Sequence, residues 1–66
     1  MKIRFLKSVL VEVEKTRLQE VWDKQFQRWD ELQAESINYA GKSAQICTRE
    51  GDTILDVPVD SFEVVK

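Results

Sequence analysis

The stretch from Gly51 to Val65, GDTILDVPVDSFEVV, constrains the fold more than any other part of the chain. A glycine suited to a turn precedes a short alternating strand, and Pro58 marks the end or edge of that strand because it cannot donate a ladder hydrogen bond. A short break and a second apolar run led by Phe62 follow. The pattern predicts two strands at the closing edge of a small β-barrel.

The length and the rare residues limit what the chain can do. With 66 residues, we expect one small domain, 1–66, that buries about 60% of its unfolded surface. A single cysteine, Cys47, and no histidine argue against a disulfide, a Cys/His zinc site and a Ser–His or Cys–His nucleophile pair. We therefore expect a cytoplasmic, non-catalytic protein with no metal and no cofactor. We identify no signal peptide and no transmembrane segment.

Three further segments have strand-like patterns. Residues 2–14 alternate between apolar and polar side chains, and residues 43–49 and 53–57 form the clearest hairpin. Gly51 suits the left-handed position of the loop between these two strands. We expect a core drawn from all of these segments, comprising Phe5, Val9, Val11, Ile46, Leu55, Val57 and Phe62.

Residues 15–37 support two interpretations. Apolar side chains recur on one helical stripe, and Thr16 with Gln19 suits a capping box. This pattern predicts an α+β fold with one helix at about 16–36 on a four-stranded antiparallel sheet.

The second interpretation of the same segment is all-β. Residues 9–14 and 20–26 would pair as a hairpin, and a further strand would cover 31–37. The sequence leaves both interpretations open, and we favour the all-β one because of the strands on either side.

The order of elements over residues 9–65 resembles the SH3-like barrel, through the features at Phe26, Asp30, Glu31, Leu32, Val57, Pro58 and Phe62. The resemblance implies about five strands, a long two-armed loop that ends in a diverging turn, and a 3₁₀ turn after the Val-Pro step. It also implies that the first and last strands are neighbours, and their opposite charges would favour that pairing. The tyrosine-rich motif of peptide-binding SH3 domains is absent, so we do not expect a polyproline groove.

Two tryptophans followed by acidic residues suggest a binding surface. We select Trp29, Asp30 and Glu31 as the main partner-binding candidates, with Trp22 and Tyr39 as lesser ones, because an aromatic anchor beside carboxylates suits a partner segment that carries Arg or Lys. The alternative is that the tryptophans fill the core. The carboxylates could also serve acid–base chemistry, although solvated surface carboxylates are far commoner.

These features predict a protein-interaction module, acting as an accessory subunit or inhibitor of a larger protein partner. The chief alternative is a nucleic-acid-binding small β-barrel, and a small enzyme is a third hypothesis. Ten basic against twelve acidic residues give a net charge of −2, which opposes phosphate binding. A local basic patch is nevertheless available to the alternative from Lys2, Arg4, Lys7, Lys15 and Arg17. We expect no membrane partner, and the sequence leaves the oligomeric state open.

Overall fold

The computed structural model describes residues 1–15 and 17–66. These residues form strands and one 3₁₀ turn, Val59–Ser61, with no α-helix among them. The strands are β1 (Lys2–Phe5), β2 (Val9–Lys15), β3 (Glu20–Phe26), β4 (Glu31–Ala40), β5 (Ser43–Thr48), β6 (Asp52–Pro58) and β7 (Phe62–Val65). The described part of the chain is therefore nearly all-β, as the favoured interpretation predicted.

The described residues form seven strands, not the five or so that the resemblance implied, and these make one antiparallel sheet in the order β3-β2-β6-β5-β4-β1-β7. The long strand β4 pairs with β1 through its first residues and with β5 from Ala34 onward, with a register shift between Ala34 and Ser36. Strands β3 and β7 stand at the two ends of this order. Within residues 1–15 and 17–66 they do not pair, so the sheet is not closed, and the SH3-like barrel stays a prediction.

The helix considered at about 16–36 is wrong for the described residues of that segment, whereas Thr16 lies outside them. Strand β3 pairs with β2 along its whole length, from Phe26 opposite Val9 to Glu20 opposite Lys15. Of the helical stripe, Phe26 alone is buried and Leu32 is half-buried, while the exposed members are Leu18, Val21, Trp22 and Trp29. The secondary structure of this segment is decided by cross-strand pairing, which a helical periodicity in the sequence does not reveal.

The first and last strands were expected to be neighbours in the sheet, and this is confirmed. Strand β1 lies between β4 and β7, and Arg4 stands opposite Glu63 of β7. Their side chains approach to 3.6 Å, and Lys7 Nζ lies 3.1 Å from Asp60 Oδ2 just before β7. These pairs are exposed, so each contributes at most about 1 kcal/mol. The main contribution to the pairing comes from the main-chain ladder and from buried side chains.

Among the described residues the core contains eleven hydrophobic side chains, and most of the expected ones are confirmed, although Val9 is half-buried. Leu55 was expected in the core and is also half-buried, whereas its neighbour Ile54 is 3% exposed. The cause is an irregularity in β6, where Asp56 has a φ of 51° and the pairing with β5 shifts register. An extra residue of this kind turns the preceding side chains to the opposite face. The buried set is Ile3, Phe5, Val11, Val13, Phe26, Ala34, Ala44, Ile46, Ile54, Val57 and Phe62.

We predict that Ile54→Ala lowers the free energy of unfolding by about 2–5 kcal/mol, because it leaves a cavity in the core. The half-buried Leu55 is the matched control, and Leu55→Ala should lower it by less than half as much. Urea denaturation of the two variants measures both values. Equal losses would mean that Leu55, and not Ile54, occupies the core face of β6.

Gly51 has a φ of 91° in the loop between β5 and β6, which confirms the predicted left-handed residue. A Cβ added there would meet no atom within 4 Å, so substitution acts through backbone strain alone. We predict that Gly51→Val lowers stability by more than about 1 kcal/mol, whereas Glu50→Ala in the same loop changes it little. Thermal melting of both variants checks this, and equal midpoints for Gly51→Val and wild type would contradict it.

Candidate functional site

A tight turn between β3 and β4 presents the first candidate, Trp29. The amide of Asp30 donates to the carbonyl oxygen of Gln27 at 3.0 Å, and Trp29 has a φ of 74°. Trp29 therefore occupies the third position of a four-residue turn with a left-handed backbone, where turns of this kind favour glycine. Asp30 Oδ2 accepts a hydrogen bond of 2.8 Å from the amide of Gln27 and stabilises the same turn.

The backbone of this turn is fixed to strand β1, whereas the indole is not enclosed. The Trp29 amide donates to the carbonyl oxygen of Phe5 at 2.7 Å, and the Phe5 amide donates to the carbonyl oxygen of Asp30 at 2.8 Å. The Trp29 side chain is 56% exposed, and the Arg28 guanidinium stands 4.6 Å from its ring centroid. Trp29 is thus exposed, as a partner-binding residue must be, while hydrogen bonds attach its backbone to β1.

Glu31 is engaged by cations of strand β1. Arg4 Nε donates to Glu31 Oε2 at 2.9 Å, and Lys2 Nζ lies 3.6 Å from Glu31 Oε1. The hydrogen bond from Arg4 is the main cause that lowers the pKa of the Glu31 carboxyl below its usual value, and the charges of Lys2 and Arg4 act in the same direction. A general acid needs a raised pKa, so this carboxylate is unsuited to that role.

Trp22 lies in a different place, on the face of β3 that also carries the buried Phe26. It is 38% exposed and lines a groove of about 290 Å³ between β3 and the start of β4. Lys24 lines the same groove from β3, while Glu31 and Leu32 line it from β4. The structure therefore brings Trp22 and Glu31 to one groove, and Trp29 is not among the residues that line it.

Tyr39 is 62% exposed near the end of β4, and its ring stacks on Phe62 with centroids 6.5 Å apart. Phe62 stands opposite Phe5 in the β1–β7 pair. Trp29 and Tyr39 are thus both attached to this phenylalanine pair, one through its backbone and the other through its ring. The alternative in which the tryptophans fill the core is wrong, since both are exposed.

Sequence reasoning did not assign two arginines the roles that they have at the site. Arg28 covers part of the Trp29 ring, and Arg4 orients Glu31. The opposite charges of the first and last strands indicated that Arg4 would form ion pairs. Nothing in the sequence distinguishes Arg28 from other surface arginines. Cys47 is free and half-buried on β5, as a structural strand cysteine would be.

The chemistry available at these positions is that of surface recognition. Among residues 1–15 and 17–66, no three Cys, Asp or Glu side chains are grouped closely enough to hold a metal ion. The described residues form no helix with the length and hydrophobicity that a membrane crossing requires. Comparison of the chain with protein-family models, with curated proteins and with solved structures finds no match.

We predict that the pKa of Glu31 lies below 4.5 and that Arg4→Gln raises it toward that value, because the neutral amide cannot stabilise the charged carboxylate as the guanidinium does. The ion pair stabilises the fold above the ordinary pKa of glutamate, and its contribution is lost as the pH falls through the lowered pKa. An NMR titration of the side-chain carboxyl carbons measures both pKa values. An unchanged Glu31 pKa in Arg4→Gln would show that Arg4 is not its main partner. Lys7→Gln is the control, because it removes a cation that is paired with Asp60 and not with Glu31.

Proposed function

We propose that this protein is a non-catalytic protein-interaction module of the cytoplasm, built on an SH3-like barrel, which acts as an accessory subunit or inhibitor of a larger protein. Trp29 and its turn form the contact surface, with Tyr39 beside the same phenylalanine pair. The observation that carries the proposal is the strained backbone of Trp29. A bulky residue with positive φ is uncommon and costs roughly 1–3 kcal/mol, so its presence at a glycine position favours a role for the indole outside folding.

The order and pairing of the elements support the SH3-like barrel. The first and last strands are neighbours, and a 3₁₀ turn follows the Val57-Pro58 step. Along the chain, two antiparallel arms, β2 and β3, connect β1 to β4, and the second arm ends at the tight turn that carries Trp29. Phe5 and Phe26 stack with centroids 4.3 Å apart, so side-chain packing joins β1 to β3 where main-chain pairing does not.

The internal contacts of the acidic residues refine the partner chemistry. A partner's Arg or Lys would have to compete with Arg4 and Lys2 for Glu31, and Asp30 already accepts the amide of Gln27. Arg28 also places a positive charge beside the indole. A basic segment, the partner chemistry that the sequence suggested, is therefore less favoured than an apolar or aromatic segment that packs on the Trp29 ring.

The charges give no support to nucleic-acid binding as a second function. Four of the five cations that could form a basic patch lie within 4 Å of a carboxylate. Their partial neutralisation reduces the positive potential that phosphate binding requires. The cations are Lys2, Arg4, Lys7 and Lys15, and their partners are Glu31, Glu63, Asp60 and Asp52.

We predict that Trp29→Gly abolishes partner retention while leaving the melting midpoint equal to or above that of wild type, because glycine removes the indole and relieves the strained backbone. Trp29→Ala should also lose the partner but melt below Trp29→Gly, since alanine keeps part of the strain. Immobilised protein is exposed to lysate of the native host, and retained proteins are identified by mass spectrometry. Circular dichroism gives the midpoints.

Leu10→Ala is the matched control, because Leu10 is an exposed apolar residue on β2, with 67% exposure. This variant should retain the same partner as wild type. A partner kept by Trp29→Gly, or lost equally by Leu10→Ala, would contradict the assignment of the contact surface. Turnover by the purified chain or salt-sensitive retention on a phosphate column would contradict the proposed class of function.

A further inference from the structure

The outer edge of strand β3 is open. In the described residues β3 pairs with β2 alone and stands at the end of the sheet order. Its residues 20–25 are all exposed. An unpaired edge presents main-chain N–H and C=O groups that another strand can bind. The groove lined by Trp22 and Lys24 lies along the inner face of this same strand.

A second copy of the chain can pair with this edge in few registers. Two identical antiparallel strands in one continuous sheet are related by a two-fold axis perpendicular to it, and that axis keeps each face of the sheet on the same side. Equivalent residues must then face each other at the centre, because side chains alternate between faces. The registers that keep most of β3 paired are centred on Trp22, Asp23 or Lys24.

Charge selects among these registers. A centre at Asp23 places two carboxylates directly opposite each other, and a centre at Lys24 does the same with two ammonium groups. Like charges at opposite positions destabilise a pair of strands. A centre at Trp22 avoids both conflicts: it places the two indoles opposite each other and sets Glu20 of each copy against Lys24 of the other. Aromatic pairs and opposite-charge pairs at facing positions both stabilise adjacent strands.

We propose that β3 is a dimerisation edge, at which two copies of the chain join antiparallel with Trp22 at the centre. The two sheets become one continuous sheet, and reciprocal Glu20–Lys24 ion pairs flank the tryptophan pair. A single strand edge buries less than the roughly 1,200–2,000 Å² of a standard interface, so the dimer is weak and depends on concentration. This surface is separate from the turn that carries Trp29, and either proposal can fail alone.

Engineered cysteines test the register directly. Residues that face each other across antiparallel strands have Cα atoms about 4.5–5.5 Å apart, which permits a disulfide. In a Cys47→Ser background, Trp22→Cys should form a covalent dimer in oxidised glutathione several-fold faster than Asp23→Cys or Lys24→Cys. Glu35→Cys is the control for random collision, because Glu35 is an exposed residue of β4. A faster reaction at position 23 or 24, or no excess over Glu35→Cys, would overturn the proposed register.

Charge reversal tests the reciprocal ion pairs without removing the indole. Sedimentation equilibrium of the wild-type chain should give a mass that rises with concentration from 7.7 kDa toward twice that value. Glu20→Lys or Lys24→Glu should weaken the dimer about tenfold, and the double variant should restore it to within about a factor of two. Glu35→Lys has the same change in charge as Glu20→Lys and should have no effect.

Three outcomes of sedimentation would overturn the proposal. A mass that stays at that of one chain at all concentrations shows no self-association, and a mass beyond two chains shows an open array such as β3 on β7. Failure of the double variant to regain the dimer shows that Glu20 and Lys24 do not meet. Because Glu20 also faces Lys15 within the chain, melting midpoints are compared to confirm that every variant is folded.

Discussion

Phe5 connects parts of the fold that main-chain pairing leaves separate. Its ring is fully buried and stacks on Phe26, while its backbone bonds to the turn that carries Trp29 and pairs with Phe62. In the part of the chain that the structure describes, the strands at the two ends of the sheet do not pair, and this aromatic contact joins β3 to β1 in the interior. Burial of two phenylalanine rings contributes several kcal/mol, which is enough to offset the strain at Trp29.

Because of this arrangement, the candidate binding residues lie on two separate parts of the surface. The Phe5 backbone positions Trp29, and the facing Phe62 supports Tyr39. Trp22 stands apart on the edge strand, where it shares a groove with Glu31. A small sheet can thus present two aromatic surfaces with different properties. One surface is held by a strained turn, and the other offers an unpaired strand edge.

Local patterns in the sequence were sufficient for most of the fold. Period-two alternation predicted the strands within 2–14 and 43–57, and the positive φ of Gly51 followed from its place in a hairpin loop. The segment 15–37 remained ambiguous because its helical stripe is real as a pattern, and only its pairing with β2 decides against it. The inward position of Ile54 could not be predicted either. It depends on the left-handed backbone of Asp56, and no glycine in β6 indicates such a backbone in the sequence.

The candidate site was predictable in composition but not in its internal contacts. Trp29 was selected as an aromatic anchor beside carboxylates, and it is exposed. The ion pair that engages Glu31 depends on Arg4, which lies 27 residues away in the chain. Contacts over such distances are set by the topology of the sheet. The free acidic surface that the sequence suggested is therefore partly neutralised in the folded protein.

The adjacency of β1 and β7 also has a kinetic consequence. Lys2 stands opposite Val65, so this part of the sheet can form only after nearly the whole chain has been brought into a closed loop. The entropy of such a loop is lost before its contacts form, and all-β domains with many distant pairings fold in milliseconds to seconds. The local hairpins β2–β3 and β5–β6 can form earlier, and we infer that docking of β1 between β4 and β7 is the late step that completes the fold.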